Sequence, residues 1–102
     1  MPVDLELRKA AAYISTGKTE AAYKILSKFL KDFPDSALAW LLLSYTIDDP
    51  RKQLASVTRA LKLNPNNTDA KNRLDKLMEM AAAWVWEEYG YYYKYFSIFV
   101  VK

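Results

Sequence analysis

The chain has 102 residues, 52% of them hydrophobic, with two glycines and four prolines; that suffices for one packed core or one short solenoid and is too short for two lobes around a cleft. It contains no cysteine and no histidine, which excludes disulfides, thiolate chemistry and the commonest metal ligand and general base near neutral pH, so neither enzymatic activity nor a cofactor or metal is expected. The net charge of +3 comes from cations interleaved with carboxylates, so nucleic acid is not implied as a partner, and residues 1–8 show no basic start followed by an apolar run, which makes the cytoplasm the expected location.

Leu5, Leu7, Ala10, Ala11, Tyr13 and Ile14 recur at three-to-four spacing, which predicts an amphipathic helix over 5–14. Gly17 then supplies a residue able to take the left-handed conformation that ends a helix, and Thr19 with Glu20 starts the next. Ala22, Ile25, Leu26, Phe29 and Leu30 line one side of this second helix, over 19–32, and Lys24, Lys28 and Lys31 fall on the other. Pro34 cannot continue it, and Asp35-Ser36 offers a cap for a third helix over 36–46 that is apolar nearly all round and so calls for cover on several sides. Asp48-Asp49-Pro50 places a cap residue before a first-turn proline, and Gln53, Leu54, Val57, Ala60, Leu61 and Leu63 make a fourth helix. Asn64-Pro65-Asn66-Asn67 stops it, and Thr68-Asp69 opens a fifth with Ala70, Leu74, Leu77 and Met78 on its apolar side and no breaker before Gly90. Short turns between five helices predict antiparallel neighbours and an all-α fold.

Residues 28–36 and 59–67 are the same phrase: the end of a helix, a proline, polar cap residues, the next helix. Their prolines, Pro34 and Pro65, stand 31 residues apart, near the roughly 34-residue period of helix-turn-helix repeats. On this pattern the chain resembles the tetratricopeptide-repeat family. Ala10, Tyr13, Gly17, Ala22, Leu26 and Pro34 occupy the family's small, aromatic, glycine, alanine, large apolar and proline positions, and Trp40, Leu43, Val57, Ala60 and Pro65 do so in a second unit. Two departures stand out: the second unit is about three residues short, with Asp48-Asp49-Pro50 in place of the glycine turn, and Phe29 occupies a place that is usually small. The resemblance covers residues 3–77, two repeats with the fifth helix as a cap whose Lys71, Arg73, Asp75 and Lys76 give it a polar outer side.

The resemblance implies a short antiparallel solenoid that binds a protein or peptide in the groove lined by the first helix of each repeat. That groove would carry Leu7, Ala11 and Ile14, then Leu38, Leu41 and Tyr45, then Asn72, Lys76 and Met80. Its apolar character suits an amphipathic helix or an extended hydrophobic segment. Relatives that grip a chaperone's C-terminal carboxylate use basic residues and asparagines where Leu7, Ala11, Leu38 and Leu42 stand here, so no such clamp is expected.

The predicted repeat domain spans 1–80, and 81–102 form an aromatic extension of the fifth helix and a tail. Nine of the fifteen aromatic residues fall there, among them Trp84, Trp86, Tyr91, Tyr93, Tyr95, Phe96 and Phe99. Three destinations are open to this tail: the chain's own groove, a second subunit in a homo-oligomer, or a membrane surface, where tryptophan and tyrosine favour the headgroup level. Glu79, Glu87, Glu88 and Lys94 interrupt every window long enough to span a bilayer; tyrosines interleaved with Lys94 leave stacking on single-stranded nucleic acid as a rival reading, although one lysine is no basic track.

Overall fold

The computed structural model describes residues 2–80, with side-chain packing from residue 5. Among these residues it consists of five helices and no strand: α1 (Pro2–Ser15), α2 (Thr19–Asp32), α3 (Ala37–Ser44), α4 (Pro50–Leu63) and α5 (Thr68–Met80). The predicted elements are all present, and the fold is an all-α solenoid of helix pairs. α1 starts three residues earlier than its apolar pattern, because Pro2 needs no amide partner in a first turn. α3 stops two residues early: the Tyr45 amide bonds back to the Leu42 carbonyl and the Thr46 amide to that of Leu43, the tightened geometry of a last turn.

The turns are fixed by local chemistry. Gly17 has φ 79°, and around it the Lys18 amide donates to the Tyr13 carbonyl at 2.8 Å and the Gly17 amide to that of Ile14 at 3.1 Å. These are the two bonds of a Schellman motif, which requires a left-handed residue at this point. α2 follows with no side-chain cap at Lys18, so Thr19 is already inside the helix. Ser36 Oγ accepts from the Ala39 amide at 3.2 Å and caps α3, and Asp49 Oδ1 accepts from the Arg51 backbone amide at 2.9 Å ahead of α4. At α5 the capping side chain is Asn67, whose Oδ1 accepts from the Ala70 amide at 3.1 Å, not Thr68.

Two apolar clusters share α3. Leu7, Ala10, Ala22, Leu26, Phe29, Ala39 and Leu43 join α1, α2 and α3, while Leu41 joins Leu54, Val57, Ala60, Ala70, Leu74, Leu77 and Met78 of α4 and α5. Trp40 packs against both clusters and donates from Nε1 to the Pro34 carbonyl at 2.8 Å. That dual cover is why α3 is apolar on every side. Ala10, Ala22 and Ala39 are wholly buried, the small contacts that let helix axes approach to about 8–10 Å. Phe29, at a place the repeat usually keeps small, is buried too, with its ring 4.9 Å from that of Phe33 at the turn.

Candidate partner-binding face

α3 sets the geometry. Leu41 and Leu42 lean to opposite sides of it, Leu41 into the cluster of α4 and α5 and Leu42 against that of α1 and α2. Between them, at spacing seven along the helix, Leu38 and Tyr45 are 47% and 42% exposed; two turns apart, they stand on one side of the helix. In a helix otherwise committed to the core, these are the two large side chains left facing outward.

α5 delivers a cation to the end of this stripe. Arg73 Nε donates to Ser44 Oγ and Arg73 Nη2 to the Ser44 carbonyl, both at 3.3 Å, and the guanidinium lies 4.0 Å from the centre of the Tyr45 ring. Ser44 is fully buried, and its hydroxyl donates to the Leu41 carbonyl at 2.7 Å. The arginine therefore satisfies a carbonyl at the C-terminal end of α3, where a helix has acceptors without partners and favours positive charge. It also holds the Tyr45 ring by a cation–π contact. Sequence reasoning assigned Arg73 to the polar outer side of the cap; its position one residue before buried Leu74 and three after buried Ala70 is the signal that places it at the edge of the packed face instead.

The other residues expected in the groove divide. Leu7 and Leu41, at 7% and 4% exposure, belong to the core and have little surface to offer a partner. Ala11 and Ile14 of α1 are half-buried, Ile14 at the edge of the cluster that also receives Leu42. Lys76 and Met80 are exposed and, by helical spacing of three and seven, share the side of α5 that carries Arg73. Asn72 is exposed but turned about 100° from Arg73, away from α3. Trp84, Trp86, Tyr91, Tyr93, Tyr95, Phe96 and Phe99, expected to form a tail interface, lie outside the described residues, as does the predicted extension of the fifth helix past Met80.

A tetratricopeptide-repeat family model matches residues 3–46, the segment that holds α1, α2 and α3. Residues 3–46 belong to the tetratricopeptide-repeat family. The match runs through α1, α2 and α3 and thus contains Leu38 and Tyr45. α4 and α5 continue the helix-pair packing of the repeat beyond it. No curated protein and no solved structure matches the chain. Tetratricopeptide repeats are typically interaction modules without catalysis, and they generally bind proteins or peptides. No helix among the described residues is long and apolar enough to cross a membrane.

Proposed function

We propose that this chain is a non-catalytic adaptor or assembly subunit that binds an apolar helix or extended peptide across the face formed by α1, α3 and α5. The observation that carries this is the outward stripe of Leu38 and Tyr45 on a helix whose remaining large side chains are packed, with the Tyr45 ring held in place by Arg73. A fixed aromatic beside an arginine is the composition of binding hot spots, and it loses little side-chain entropy when a partner arrives. Ala11 and Ile14 extend the apolar surface on one flank, and Lys76 and Met80 on the other. Leu7 and Leu41 support the face from beneath, and Asn72 stands apart from it. On composition alone, the aromatic residues between 84 and 99 are the proposed means of self-association or docking.

A peptide library selected against the full chain tests the groove. Selected peptides should bind roughly thirtyfold more weakly to a Leu38→Ser/Tyr45→Ala variant, the equivalent of about 2 kcal/mol at a hot spot. Its circular-dichroism melt should remain cooperative. Equal binding to the folded variant would refute the assignment of this face.

A further inference from the structure

The outer side of α2 has a different chemistry. Lys24, Lys28 and Lys31 are all exposed and, at spacings of four and three, form one cationic stripe roughly 10 Å long. None of the three has an ion-pair partner among the described residues. Beside them, Tyr23 is exposed and Ser27 half-buried, at spacing four, in a second row. Together Tyr23, Lys24, Ser27, Lys28, Lys31 and Asp32, all on α2, line a shallow, open depression in the surface.

We propose that this side of α2 is a second docking surface, for a short acidic segment of a partner protein in which carboxylates flank one apolar side chain. The carboxylates pair with Lys24, Lys28 and Lys31. The apolar side chain lies in this depression against the Tyr23 ring and the lysine methylene stems, which pack as apolar surface while their ammonium groups stay in water. Two acidic residues decide between this occupant and a continuous polyanion. Glu20 stands one turn before Lys24 and Asp32 one turn after Lys28, both exposed, and both lie within about a Debye length of the stripe. A nucleic-acid backbone or an anionic bilayer running past the stripe meets them as repulsion, whereas a segment with two or three carboxylates fits between them. The surface lies on α2, apart from the stripe on α3, so a partner here leaves the α1, α3 and α5 face open and the two sites are separable.

The test is a titration of the ¹⁵N-labelled full chain, followed by amide shifts, with a ten-residue synthetic peptide carrying one leucine between two pairs of glutamates. Parallel titrations use the same peptide with glutamines for glutamates, phosphatidylserine vesicles and oligothymidylate. Saturable shifts at Tyr23, Ser27 and Lys28, weakened by added salt and by at least about tenfold in a Lys24→Gln/Lys28→Gln/Lys31→Gln variant with an unchanged melt, are the expected result. The proposal is overturned if the acidic peptide leaves these amides unmoved or shifts residues of α3 and α5 instead. Equal binding of the glutamine peptide, or binding by the vesicles or the oligonucleotide but not by the acidic peptide, overturns it as well.

Discussion

Arg73→Met removes the guanidinium while keeping an unbranched apolar stem, and it is expected to destabilise the chain by about 1–2 kcal/mol. The two hydrogen bonds to Ser44 are 3.3 Å long, so each is placed near the lower end of the usual range, about 0.5–1 kcal/mol. The contact with the Tyr45 ring at 4.0 Å adds about 0.5–1 kcal/mol for a partly exposed pair. The sum is an upper bound, since one group makes all three contacts and they are lost together. Ser44 Oγ keeps the Leu41 carbonyl as its acceptor, so no buried hydroxyl is stranded, but the buried Ser44 carbonyl loses its Arg73 donor, which puts the cost toward the upper end of this range. For a domain of this size the change corresponds to a fall in melting temperature of roughly 4–15 °C. Urea unfolding followed at 222 nm measures it, and a cycle with Tyr45→Leu should give a coupling of at least about 0.5 kcal/mol. Arg73→Lys should recover less than half of the loss, because an ammonium cannot reproduce the fork to Ser44. A cost below about 0.5 kcal/mol, or additivity with Tyr45→Leu, would refute the view that Arg73 ties α5 to the end of α3.

At Gly17, substitution by alanine should cost about 1–2 kcal/mol in the same urea assay, all of it backbone strain: φ is 79° and a Cβ there would meet nothing within 4 Å. A cost near zero would mean that the turn relaxes to another conformation. Capping predicts an asymmetry at the start of α5, where Asn67→Ala should cost about 1 kcal/mol and Thr68→Ala less than about 0.5 kcal/mol; the reverse order would contradict the assignment of the cap to Asn67.

Much of this fold was legible in the sequence because its determinants are local. A left-handed glycine, a proline that ends a helix and a serine or aspartate that caps the next act within four residues, and Gly17, Pro34, Ser36 and Asp49 each do what their chemistry dictates. Periodicity also identified the buried side of α5, Ala70, Leu74, Leu77 and Met78. The candidate face was less legible. Leu38, Leu41 and Tyr45 stand at spacings of three and four, and nothing in that pattern says which of them meets a neighbouring helix.

The sequence by itself determined the number and order of the helices among the described residues, their turns and the resemblance to a tetratricopeptide repeat, because helix formation, capping and helix-pair spacing are short-range properties. Only the tertiary structure decided that Leu7 and Leu41 are core, that Trp40 serves two clusters, that Leu38 and Tyr45 stay outside and that Arg73 reaches back to Ser44. Those outcomes depend on the angle at which one helix lies on the next, and that angle is set by side chains distant in the chain competing for the same volume.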